Sequence, residues 1–231
     1  MSVIVIPVYD GVDVLDVTGP FEMFRWAGIE VRLVAQAAGL IACNGGLTLQ
    51  VDTAFAEAPV GEVLWTPGGA PKALAGLMSG PDHTFLDFLV KQSRDELVPS
   101  GAKRYVASVC EGALRLAAAG LLDGYAVTTH WAFIPCLLKR FPKVTVVDGH
   151  PRFHLDRNRL TGGGISSGLD EALELIRLLK GEAAAQTVQQ TTQYYPSPPV
   201  TSEIPATITC PLDELISAPS GSAAHRQAGR P

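Results

Sequence analysis

No C-x-x-C pair occurs in this sequence: Cys43, Cys110, Cys136 and Cys210 stand far apart. Neither a zinc site nor a dense disulfide framework is suggested, and four reduced thiols are the expectation. Charge is also scarce, at 18% of residues with a net charge of −5, and Lys and Arg are scattered rather than gathered into a stripe. Nucleic acid and anionic membranes are therefore poor partners. No apolar stretch approaches the length that spans a bilayer, and Met1-Ser-Val-Ile-Val-Ile-Pro7 lacks a basic leader and a cleavage site. A soluble, cytoplasmic protein is expected. Internal repeats and an interior linker are missing too. One domain over residues 1–195 is expected, followed by a Pro-rich extended tail over 196–231 whose last part is disordered.

Apolar residues, by contrast, make up 47% of the chain, which suits a sheet covered on both faces by helices. Strands and helices alternate. Ser2 to Val8 reads as a central strand, and Leu15 to Gly28 as a helix with Pro20 in its first turn and Thr18 or Asp16 as cap. Ile29 to Ala35 is a second strand, and Asn44-Gly45-Gly46 turns a hairpin between Leu40–Cys43 and Leu47–Val51. A short strand, Glu62 to Thr66, runs into Pro67-Gly68-Gly69, followed by helical spacing over Lys72–Met78 and Phe85–Leu97. Later come a strand over Ala126–Trp131, a helix over Ala132–Arg140, a strand over Lys143–Val147 and a hairpin from Arg152 into Gly162-Gly163-Gly164. Two helices, Leu169–Leu179 and Glu182–Gln193, close the domain. The pattern predicts an α/β fold with a doubly wound, mostly parallel sheet.

One junction concentrates the chemistry. A β-branched run stops at Cys110 and a helical run begins at once, with Ser108 and Gly112 as small neighbours two residues away on either side. That is the pattern of a nucleophile elbow, where a side chain sits in a tight, strained turn between strand and helix. The first turn of that helix should favour the thiolate. Asp16, Gly68-Gly69 and Cys110 all follow strands and so should converge at one edge of the sheet. Backbone N–H groups near Gly69 and Glu111 would then meet developing negative charge. His130, at a strand end, is either a substrate contact or a half-buried structural histidine. His150 and His154 have a metal-like spacing, but Pro151 argues against a helix there, and no metal site is expected.

The runs Leu15-Asp-Val-Thr-Gly-Pro-Phe-Glu22, Thr66-Pro-Gly-Gly69, Ser108-Val-Cys-Glu-Gly112, Thr128-Thr-His-Trp131 and Leu160-Thr-Gly-Gly-Gly-Ile165 together resemble the ThiJ/PfpI group of the class I glutamine amidotransferase-like superfamily. Within it they are most similar to the isonitrile hydratases (cyclohexyl-isocyanide hydratases). The resemblance covers about residues 1–200. It implies a flavodoxin-like fold, a homodimer, no metal or other cofactor, and hydration of an isonitrile to an N-substituted formamide through a covalent cysteine thioimidate. It also implies Cys110 as nucleophile and Asp16 as the carboxylate that meets its sulfur; Gly69, Glu111 and His130, read from the residues themselves, are the expected substrate-binding positions. Relatives usually carry Thr after the nucleophile, where Glu111 stands here. The same superfamily holds cysteine-based redox or ligand sensors, cofactor-free glyoxalases, amide hydrolases and AraC-type regulators. The Pro- and Gly-rich tail leaves no room for a helix-turn-helix pair. Hydrolases would carry His after the nucleophile. Sensors generally carry Glu at the Asp16 position, so Asp16 favours the hydratase.

Overall fold

In the computed structural model, residues 2–94, 104–207 and 209–217 are described. The strands are β1 (Val3–Pro7), β2 (Glu30–Ala35), β3 (Gly39–Ala42), β4 (Thr48–Val51), β5 (Thr53–Ala54), β6 (Val63–Thr66), β7 (Tyr105–Ser108), β8 (Ala126–Val127), β9 (Thr145–Val146), β10 (Phe153–Asp156) and β11 (Arg159–Gly162). Seven of them form one sheet in the order β10-β11-β7-β6-β1-β2-β5, parallel except for the β10/β11 hairpin at one edge. The strands β1, β6 and β7 are interior and almost wholly buried, which explains their unbroken apolar sequence. From β1 the chain moves outward to β2 and β5, then returns to β6 on the other side of β1. This reversal opens a crevice at the C-terminal ends of β1 and β6.

The helices are α1 (Val14–Trp26), α2 (Pro71–Ser79), α3 (Thr84–Gln92), α4 (Gly112–Ala118), α5 (Ile134–Arg140), α6 (Gly168–Lys180), α7 (Glu182–Thr191) and α8 (Asp213–Ser217). One layer packs α1, α6 and α7 together, while α2, α3 and α5 gather around α4 in the other. The expected doubly wound α/β fold is therefore present. Leu114 and Leu116 of α4 are fully excluded from solvent. Burying each contributes about 1.5–3 kcal/mol and holds the start of α4 against β6 and β7.

Three local expectations are corrected. The N-cap of α1 is Asp13, so Asp16 lies in the first turn and Pro20 in the helix interior. Proline has no N–H to give the Asp16 carbonyl four residues earlier, and the indole Nε1 of Trp65 donates to that carbonyl instead, at 2.9 Å. The strand expected over Ala126–Trp131 is confined to β8, because the Thr128 N–H turns to the Thr161 hydroxyl at 2.9 Å and a 3₁₀ turn over Trp131–Phe133 precedes α5. Finally, Cys136 and Cys210 are joined in a disulfide, leaving Cys43 and Cys110 free. The tail folds back on α5, and a sequence separation of 74 carries no local sign of that pairing. From Pro196 to Thr207 the tail forms neither helix nor strand, and α8 follows at Asp213. The third helix ends at Gln92; residues 95–97, expected to continue it, and 218–231, expected to be disordered, lie outside the described residues.

Candidate active site

Three turns meet at the crevice, one after each of β1, β6 and β7. Cys110 follows β7 with φ +56°, a left-handed conformation that is strained for a residue with a side chain. Its surroundings hold it there: its N–H donates to the Gly163 carbonyl at 2.8 Å, and its own carbonyl accepts the Thr129 hydroxyl at 2.7 Å. A Cβ on Gly112 would strike the Thr66 carbonyl and the Ser108 side chain, so the small neighbours expected of an elbow are required here. After β6, a Cβ on Gly68 would lie 2.5 Å from Glu111 Oε2, 2.7 Å from the Cys110 Cβ and 2.8 Å from Asp16 Oδ2. The bare Gly68 backbone thus forms the floor on which these three side chains converge.

Asp16 is fully buried, and its Oδ2 accepts the Gly68 N–H at 2.7 Å. Its other oxygen has no hydrogen bond among the described residues. Glu111 is 5% exposed, its carboxylate lies within 4.8 Å of the Cys110 sulfur, and its Oε2 faces the Gly69 N–H at 3.4 Å. The glycine N–H groups expected to face open space for a developing anion are therefore turned to carboxylates already present. Asp13 completes the cluster. It caps no N–H of α1; its carboxylate is held by the Asn44 side-chain amide at 2.8 Å. Donor atoms of Asp13, Cys110 and Glu111 lie within 4.8 Å of one another, the one such convergence of His, Cys, Asp and Glu among the described residues; His150 and His154 take no part. His130 is half-buried, with its ring against Gly164 and its Nδ1 accepting the Ala132 N–H at 3.2 Å. The neutral ring accordingly carries its proton on Nε2.

A sequence profile of the DJ-1/PfpI family matches residues 1–178. The chain belongs to the DJ-1/PfpI family. It is 39% identical over 194 residues to an isonitrile hydratase of Pseudomonas putida, covering 84% of this chain and 78% of that one. It is also 27% identical over 169 residues to the HTH-type transcriptional regulator GbdR of Pseudomonas aeruginosa, of which it spans 41%. A ThiJ/PfpI family protein from Pseudomonas syringae superposes with a TM-score of 0.73 at 32% identity, over 86% of this chain and 77% of that one. Drosophila melanogaster DJ-1beta, at 21% identity and a TM-score of 0.69, shares the fold.

In this DJ-1/PfpI chain the electrostatics of the elbow run against the thiolate expected from sequence. Burial raises the Cys110 thiol well above its ordinary value, and the charges of Asp16 and Glu111 raise it further, as does the hydrogen bond to Glu111; the Ile165 N–H opposes them. Asp16 is also raised well above the usual carboxyl range, first by burial and then by the charges of Asp13 and Glu111, against the opposing Gly68 N–H and Arg115. Burial raises Glu111 as well, while its bond to Cys110 opposes the shift. Burial lowers His130, and Asp13 opposes that. Burial and mutual repulsion thus disfavour charge on the Cys110 thiol and on both carboxyls, Asp16 more strongly than Glu111. The structure brings Cys110, Asp16, Gly69 and Glu111 together, and with them Asp13, which sequence reasoning missed. Its signal was present, since an Asp three residues before Asp16 shares its helix face and suits an N-cap.

Proposed function

We propose that the protein adds water to an isonitrile, R–N≡C, to give an N-substituted formamide, with Cys110 as nucleophile and Asp16 as acid and base. The observation that carries this reading is the strained Cys110 converging with the fully buried Asp16 carboxyl at Gly68, where burial raises that carboxyl. The identity to the Pseudomonas putida isonitrile hydratase supports it.

The terminal carbon of an isonitrile takes up a nucleophile and a proton on the same atom. Because the cluster is almost wholly excluded from solvent, a neutral, weakly solvated substrate reaches it at less desolvation cost than an ion would. As sulfur bonds to that carbon, Asp16 delivers its proton there, giving R–N=CH–S–Cys110. The Asp16 carboxylate then takes a proton from water as oxygen adds to the same carbon. Collapse releases R–NH–CHO and the thiol. His130, whose ring packs on Gly164 next to the Gly163 that holds the Cys110 N–H, offers Nε2–H as a substrate contact. A peroxide-sensing role is disfavoured by the same cluster, because oxidation begins from the thiolate that Asp16 and Glu111 oppose.

Purified protein offered a panel of alkyl and aryl isonitriles should consume isonitrile and form formamide. Cys110→Ala should be inactive, whereas Cys43→Ser should retain activity. Turnover surviving in Cys110→Ala would end this mechanism.

A further inference from the structure

The scheme leaves one proton without a destination, that of the Cys110 thiol, which must depart as sulfur bonds to carbon. Asp16 cannot take it, because Asp16 is donating at that moment. Glu111 is the buried carboxyl beside the thiol: its donor oxygen lies within 4.8 Å of the Cys110 sulfur, both border Gly68, and the Gly69 N–H braces it. Asp13 lies beside both, within the same 4.8 Å group, fixed by Asn44 and by its own N–H to the Gly68 carbonyl at 3.2 Å. Asp13 is also the more exposed of the two, so the pair leads from the sulfur toward solvent.

We propose that Glu111 is a second working carboxyl of this site: it accepts the Cys110 proton as sulfur adds to carbon, and Asp13 is the positioning residue whose carboxylate stands beside it on the solvent side. The substrate in this inference rests on the hydratase reading; the proton partner of Cys110 does not. The steps balance with Asp16 protonated and Glu111 ionised at the start. In the first, the Asp16 proton goes to the isonitrile carbon, the thiol proton goes to Glu111 and the C–S bond forms. In the second, water adds to that carbon, losing one proton to Asp16, while Glu111 returns its proton to nitrogen. In the third, the C–S bond breaks and the hydroxyl proton passes through Glu111 to sulfur. Both carboxyls return to their starting states.

The titratable and charged groups around Glu111 are Asp13 and Asp16 at the start of α1, Tyr9 beyond β1, Cys110 beside it, and Arg115 on α4, stacked on the Tyr9 ring at 4.1 Å. Only Asp13 and Glu111 are altered in the test, which uses a Cys43→Ser background so that Cys110 is the one free thiol. Thiolate ultraviolet absorbance and the pH profile of kcat/KM are both read. Glu111→Gln should move thiolate formation to lower pH, since it removes an adjacent negative charge, and yet reduce turnover by about 10²-fold, since the base is gone. Glu111→Asp, which keeps a carboxylate, should recover part of that loss. Asp13→Asn should leave kcat within about tenfold and shift the acidic limb to lower pH, because Glu111 then ionises more readily. An unmoved thiolate titration in Glu111→Gln, or undiminished turnover, overturns the role of Glu111; an unshifted limb in Asp13→Asn overturns that of Asp13. If the parent protein turns over no isonitrile, the hydratase reading fails, and the thiolate titration still decides whether Glu111 holds the Cys110 proton.

Discussion

Asp16 serves the site with two different groups: its carbonyl takes the Trp65 indole that Pro20 leaves room for, and its carboxylate takes the Gly68 N–H. The first anchors α1 to β6, and the second brings a titratable group to the elbow. Asp16→Asn preserves both contacts, because an amide oxygen accepts the Gly68 N–H as a carboxylate does, but it leaves no proton to donate. Steady-state kinetics should show turnover lower by about 10²-fold, with a thermal midpoint no lower than that of the parent. Full activity in Asp16→Asn would assign the acid elsewhere. The position of Asp16 was legible in the sequence because it follows a strand, and strand ends converge in this fold class. The orientation of Glu111 was not legible, since residue type and helix position are equally compatible with a side chain in solvent; the bare Gly68 backbone is what lets it turn inward.

Among the elements, α6 shows what the glycine run after β11 accomplishes. The sequence indicated only that Gly162-Gly163-Gly164 brings backbone close to something. Each has a different neighbour: Gly163 takes the Cys110 N–H, Gly164 passes the His130 ring, and Gly162 leaves room for the Glu171 carboxyl. Glu171 sits on α6, fully buried, with Oε1 accepting the Ser167 hydroxyl at 3.1 Å. Burial raises its carboxyl well above the ordinary range, with Ser167 opposing. Because the folded value exceeds the unfolded one, about 4.3, the stability linked to this group is complete below that pH and declines as pH rises through the folded value. Glu171→Gln keeps the bond from Ser167 and removes the titration. Its thermal midpoint should match the parent on the acid side and exceed it on the alkaline side. Parallel midpoint curves across that range would show that Glu171 does not couple folding to pH. Periodicity located α6 and α7 closely, whereas β8 and β9 were overestimated, since a strand's length depends on the partner it finds.

At the scale of the molecule, the tail is tied down by interactions that composition did not reveal. Cys210 bonds to Cys136 on α5, Leu212 is fully buried, Asp213 pairs with Lys139 and Arg140 at 2.8 Å each, and α8 packs on α2. This clip spans α2, which follows Gly68-Gly69, and α5, which follows His130, so it fastens the outer layer without entering the cluster around Cys110. Its contribution belongs mainly to the unfolded chain: closing a loop over a separation of 74 residues restricts that chain by up to about 4 kcal/mol. The Lys139 pair adds little because that side chain is largely solvated, and the Arg140 pair is partly buried. Reduction should therefore lower the thermal midpoint by about 10 °C, at a few degrees per kcal/mol for a chain of this size. A Cys136→Ser, Cys210→Ser protein should melt at the reduced value and be indifferent to reductant, while its turnover below the transition stays at the parent level. A melt in which reductant changes nothing would mean that the tail is held by Leu212 and α8 alone. Turnover lost along with the disulfide would mean instead that the clip holds the rim of the site through α2 and α5.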